Sequence, residues 1–170
     1  RMASFTDPLG IRSTILLHLQ SRRPYVSNIE GANMTRINSD INPALLHRAH
    51  LVAELREITM VPGSLKRSLK TRRPDSIVSG IPLRFTLNKG HVLFFYNKLG
   101  FLKKRFGRLC SEMYARGYNP DTSRIEAFDG FEPMWYGDWE SSLDDDALCQ
   151  ARINERINAK PHLYKDRILK

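Results

Sequence analysis

The chain has 170 residues, 41% of them hydrophobic and 26% charged, the size and composition of one globular domain with a real core. It has no run of about 18 or more apolar residues, which excludes a membrane-spanning helix. Its two cysteines, Cys110 and Cys149, are too few and too far apart for a disulfide framework or a zinc cluster. The net charge of +9 is concentrated in the middle of the chain: residues 34–119 carry 16 basic and 5 acidic side chains, and residues 120–170 carry 7 and 11. A basic body of this density attracts polyanions, because each neutralised phosphate releases condensed counterions. The expected partner is nucleic acid, DNA or RNA, and no membrane. The cysteines are expected as packed, reduced thiols in an intracellular compartment, with the mitochondrial matrix as one location. The five histidines show no metal-ligand spacing, and neither a metal nor a cofactor is expected.

Residues 1–33 read as a basic extension in which Ile11 to Leu19 form a short amphipathic piece. Arg12, Arg22 and Arg23 with few acids suit a targeting remnant or a tail that holds a protein or RNA partner. The compact domain is expected over residues 34–170.

Pro43 opens a predicted helix over residues 43–59, with Leu51, Leu55 and Ile58 on one face and His50, Ala53, Glu54 and Glu57 on another. Pro62-Gly63 is expected to end it. Residues 64–89 read as an irregular basic stretch with Lys66, Arg67, Lys70, Arg72 and Arg73, a loop or short helix followed by an extended connection. Residues 91–116 carry the strongest pattern. Val92, Phe95, Leu99, Leu102, Phe106, Leu109 and Met113 recur in steps of three and four and predict one long helix, which Gly117 terminates. Lys98, Lys103, Lys104, Arg105 and Arg108 are expected on its solvent side. Residues 120–141 read as a loop holding Trp135 and Trp139. Asp144 to Ala159 read as a last helix, with Asp144, Asp145 and Asp146 favoured at its start by the helix dipole. The predicted fold class is all-α: about three main helices joined by long irregular connections.

Several short motifs occur in series: Met34-Thr35-Arg36-Ile37-Asn38, then His50-Leu51-Val52-Ala53-Glu54-Leu55-Arg56-Glu57, then Gly90-His91-Val92-Leu93-Phe94-Phe95-Tyr96-Asn97-Lys98-Leu99. Phe101-Leu102-Lys103-Lys104-Arg105, Arg116-Gly117-Tyr118-Asn119 and Gln150-Ala151-Arg152 follow. In order and spacing this series resembles the pyrimidine-dimer DNA glycosylase/AP-lyase family, the endonuclease V type, over roughly residues 34–165. The resemblance implies a lyase in which the free α-amine of a threonine attacks C1′ of a damaged nucleotide. An α-amine titrates near about 7.7–8.0, so more of it is unprotonated at neutral pH than of a lysine. By motif the threonine is Thr35, and Glu57 is the carboxylate that stabilises the cationic sugar and moves protons. Arg36 and Arg56 are implied to hold phosphates near the site, and His50 to position the backbone or the nucleophile. Lys66, Arg67, Lys98, Lys103, Lys104 and Arg105 are expected as further nucleic-acid contacts.

Four departures accompany the resemblance, one of them an altered segment around Arg72 to Gly80. Thr35 follows Met34, so its nitrogen is an amide until the bond between them is cut. Met60 stands where the family has an arginine three residues after the glutamate. The stretch from His162 to Arg167 keeps only part of the family's aromatic tail. These departures predict a second reading: a catalytically silent homologue that serves as an RNA-binding subunit of a large ribonucleoprotein such as a mitochondrial ribosome.

Overall fold

The computed structural model describes residues 35–87 and 89–164. The extension over residues 1–33 and the basic tail after Tyr164 lie outside the described residues. Six α-helices and four short 3-10 turns make up the regular structure of the described part, where no strand forms. The class is all-α, as the hydrophobic patterning predicts. The helices are more numerous and shorter than three long ones.

The helix expected over residues 43–59 is divided. A 3-10 turn runs over Pro43–Leu45, Leu46 and His47 are extended, and α1 begins afterwards at Arg48–Glu57. Arg116, from the end of a later helix, donates to the carbonyls of Leu46, Pro43 and Ala44. Those acceptors are thereby satisfied without a continuous helix. His47 caps α1, its Nδ1 accepting from the Ala49 N–H at 3.1 Å.

Pro62-Gly63 does not end a helix. Both residues lie inside α2, Met60–Leu69, which begins after only Ile58 and Thr59. Pro62 sits in the first helical turn, where its missing N–H is one of the donors that has no intrahelical partner anyway. Of the loop or short helix expected in the basic stretch, the structure has helix through Leu69, and α3, Pro74–Val78, follows with proline at its first position.

The long helix expected over residues 91–116 is also two. α4, His91–Phe94, is followed by a turn, and α5, Leu99–Ala115, starts after Lys98 at φ −130 and ψ 33. The break admits the loop at Tyr136-Gly137, with which Lys98 forms an isolated bridge. A Cβ on Gly100 would stand 2.5 Å from the Tyr136 carbonyl oxygen, so the approach needs glycine. The apolar stripe survives the break: Phe95, Leu99, Leu102, Phe106, Leu109 and Met113 are all buried.

α5 ends as predicted. Gly117 has φ 78, the Tyr118 N–H reaches the Met113 carbonyl and the Gly117 N–H reaches that of Tyr114. The loop after it holds two 3-10 turns, Thr122–Phe128 and Pro133–Trp135. Trp135 is buried. Trp139 joins a cluster of rings, 5.3 Å from Phe85 and from Phe94 and 5.0 Å from Phe101. α6, Leu143–Ala159, opens with a capping box in which Ser142 and Asp145 satisfy each other's backbone N–H. A last 3-10 turn covers Pro161–Tyr164.

Candidate active site

The site grows from a short stretch of non-helical backbone, residues 35–41, pinned between α1 and α6. Thr35 is buried. The next backbone N–H, that of Arg36, donates to Glu57 Oε2 at 2.6 Å. The Arg36 guanidinium lies 3.6 Å from the other oxygen of the same carboxylate. Glu57 ends α1, and its side chain retains some exposure to solvent. A carboxylate is thus held against the backbone of Thr35-Arg36 while one edge of it still meets water.

Two arginines act on that carboxylate, Arg36 at 3.6 Å and Arg156 through its charge. His50, two turns earlier on α1, is buried with its Nε2 unpartnered. Its ring stacks on Tyr164 at 5.1 Å, and Tyr164 also meets the edge of His47 at 4.8 Å. Burial pushes the His50 ring down to about 4, with Arg156, Arg36, His47 and Arg152 adding in the same direction. His50 is therefore a neutral ring at neutral pH. Burial also lowers Arg152 and Arg156, and in each case neighbouring guanidinium groups contribute to the lowering. Arg152 uses one nitrogen on the Ile37 carbonyl and Asn38 Oδ1, and its other terminal nitrogen has no partner.

An open cleft of about 690 Å³ adjoins Thr35. Ser64, Ser68 and Arg72 line one wall and Tyr96 and His91 another. The Tyr96 hydroxyl is shared with Ser64 at 2.8 Å and Ser68 at 3.2 Å. His91 is a structural residue of this wall, its Nδ1 2.6 Å from the Thr86 carbonyl. Burial, then Arg152, lowers it to about 4.

Of the residues singled out in the sequence, Thr35, Arg36, His50 and Glu57 come together, and Arg56 stands exposed on the adjoining turn of α1. Lys66 and Arg67 are exposed on α2. The α5 cations are engaged with partners of their own. Lys103 pairs with Asp129 at 2.6 Å and Lys104 with Asp138. Lys98 is half-buried, donating to the Phe94 carbonyl and Asn97 Oδ1, and burial lowers it.

Arg105 requires a correction. Both it and Glu54 have no exposed side-chain surface, and they form a two-point ion pair at 2.9 and 3.0 Å. It cannot touch a phosphate, because the helix face that carries it turns toward α1. The sequence reading also missed Glu54, Arg152, Arg156 and Tyr164 as parts of the site. Glu54 carried a signal, since it shares a helix face with His50 and Glu57. So did Arg152 and Arg156, four residues apart on α6 and therefore on one side of it.

Among the described residues there is no cluster of three or more His, Cys, Asp or Glu side chains suited to a metal ion, and no helix is long and apolar enough to cross a membrane.

A helical domain in which a carboxylate, bonded to backbone beside a threonine, is paired with an arginine has the makings of a protein that acts on nucleic acid. The family model for pyrimidine dimer DNA glycosylases matches residues 34–126, more than half of the chain. The chain belongs to that family. The match spans Thr35, His50, Glu57, α2 and α5, whereas Arg152, Arg156 and Tyr164 lie beyond it.

Proposed function

We propose that this protein is a DNA glycosylase and AP lyase of the pyrimidine-dimer type, active in the form whose first residue is Thr35. The observation that supports it best is the short bond from the Arg36 N–H to Glu57, which sets a carboxylate beside the backbone of Thr35 with the Arg36 guanidinium 3.6 Å away.

The Thr35 amine attacks C1′ and the glycosidic bond breaks, the base leaving with a proton. The sugar ring then opens to an imine between Thr35 and C1′. Loss of a proton from C2′ expels the 3′ phosphate oxygen, which cuts the strand, and water releases the unsaturated sugar from Thr35. Glu57 is suited to balance the positive charge on the sugar and to carry protons. Arg36, Arg56 and Arg156 would hold the flanking phosphates, and His50, kept neutral, would pack against the nucleophile's segment.

The test is borohydride trapping on duplex DNA containing an abasic site. A chain cut between Met34 and Thr35 should give a covalent adduct through Thr35. The Glu57→Gln variant should lose about 10²–10⁴-fold in rate and keep its affinity for the duplex. A cut chain that forms no adduct would refute the proposal.

One observation favours a second reading. With Met34 attached, the Thr35 nitrogen is an amide and cannot form an imine. In that form the chain would grip nucleic acid without cutting it, and RNA in a mitochondrial ribonucleoprotein becomes a target as reasonable as DNA. A gel shift with the uncut chain separates the cases. Preference for duplex RNA over DNA favours the silent reading, and preference for lesion DNA refutes it.

A further inference from the structure

The geometry of the site depends on where the backbone over residues 35–41 lies relative to α1. That stretch has almost no regular hydrogen bonding of its own. α6 holds it through Arg152 on the Ile37 carbonyl and Asp146 on Ser39, and α1 holds it through a buried carboxylate one turn before Glu57. Glu54 Oε1 accepts from the Asn38 backbone N–H at 3.1 Å and from Arg105 Nε at 2.9 Å. Its Oε2 accepts from Asn38 Nδ2 at 2.7 Å and from Arg105 NH2 at 3.0 Å. Arg105 then donates its remaining terminal nitrogen to the Ile41 carbonyl. Asn38 Oδ1 in turn accepts from Arg152 at 3.0 Å. Both ends of residues 38–41 are therefore tied to one ion pair that has no exposed surface.

Stability alone is a poor reason for such a pair. Desolvating two charges offsets most of their attraction, and apolar residues of equal volume commonly do as well. What the charges supply is direction. A carboxylate with two pairs of fixed donors can hold a segment in one register only. Glu54 and Glu57 stand three residues apart, on the same side of α1. Holding Asn38 at Glu54 thus determines how closely Arg36, two residues earlier, approaches Glu57.

We propose that Glu54 is a positioning residue of the active site: with Arg105 it forms a buried clasp on Asn38 that sets Thr35-Arg36 against Glu57. The proposal rests on the reading of Thr35 and Glu57 as the reacting pair. Neither Glu54 nor Arg105 touches the substrate; they act through Asn38 and the backbone that leads to Thr35.

The test begins with amide hydrogen exchange on the full chain. Asn38→Ala removes the side-chain half of the clasp, the Nδ2 bond to Glu54 and the Oδ1 acceptor for Arg152, and keeps the backbone N–H bond and the Glu54–Arg105 pair, so the variant should fold. Arg36 amide protection should fall by about tenfold or more while that of α5 stays within about twofold. Glu54→Gln should do the same and also lower the melting temperature. In chains cut ahead of Thr35, Asn38→Ala should slow borohydride trapping at saturating protein by about tenfold and leave duplex affinity within about threefold. Unchanged Arg36 protection, or protection that falls only in step with α5, would overturn the clasp. Unchanged trapping despite a loosened Arg36 would overturn its role in positioning. If the cut parent chain itself traps nothing, the lyase reading fails, and the exchange measurement still decides the clasp.

Discussion

Glu54 and Glu57 are one turn apart on α1, yet they have opposite surroundings. Glu54 has no exposure and four donors, and Glu57 has a short backbone bond, a more distant arginine and access to solvent. Spacing alone put both on one face of the helix and could not tell which of them faces a buried arginine. The two histidines give a further residue-scale consequence. His50 and His91 are each pushed from the ordinary 6.5 to about 4, mainly by burial. Each is neutral in the fold and takes a proton at ordinary pH only when the chain unfolds. Lowering the pH therefore favours the unfolded chain. The stability due to these rings is whole above about pH 6.5 and is lost progressively as the pH falls toward 4. Each ring contributes a slope of up to about 1.4 kcal/mol per pH unit. Melting temperatures recorded between pH 7 and about 5 should fall steadily, and His91→Gln should flatten the slope by roughly half. A flat profile over that window would show that the rings are not held neutral.

At the scale of elements, the two ends read correctly were those with a specific cap, Gly117 after α5 and the aspartates that open α6. Gly117 was legible as the terminator of α5 because only a residue comfortable at φ 78 completes that cap. Gly117→Ala should cost about 1–2 kcal/mol, measured by chemical denaturation, even though a Cβ there meets nothing within 4 Å. Gly107 provides the contrast. It too has open space around its missing Cβ, but it lies inside α5 at ordinary helical angles. Gly107→Ala should stabilise the protein by about 0.8–1 kcal/mol. Equal effects of the same sign at the two sites would contradict the assignment of the cap. The breaks at Leu46-His47 and at Phe95 to Lys98 were not legible. Each exists because a distant segment supplies something a continuous helix would exclude: Arg116 in the first case, the Tyr136-Gly137 loop in the second.

For the whole molecule, the charge balance sets how it meets nucleic acid. Much of the basic surplus is already engaged: Arg105 is buried, and Lys103, Lys104, Arg108 and Arg116 pair with acids. Among the described residues, exposed cations without an acidic partner lie on α1 and α2 and also at Lys70, Arg72, Arg73, Arg84 and Lys89. If about six phosphates are contacted, the logarithm of affinity for duplex DNA should fall with a slope near about −5 against the logarithm of salt concentration. Replacing Lys66 and Arg67 by alanine should reduce that slope by about 2. An unchanged slope would place α2 away from the nucleic acid.

What the sequence determined by itself was local and periodic. The all-α class followed from apolar spacing in steps of three and four, the α5 terminus from Gly117, the start of α6 from its run of aspartates, and the family from motifs in a particular order. Thr35, Arg36, His50 and Glu57 were legible as a group because the motifs keep them close along the chain. Only the tertiary structure decided that Arg105 is a core cation and that Arg152, Arg156 and Tyr164 gather around His50. The reason is physical. Helical periodicity says which residues share a face, but an arginine looks the same in the sequence whether that face meets water or a buried glutamate. Which of the two it meets depends on contacts between residues 51 positions apart, as for Arg105 and Glu54, and no local pattern carries that information.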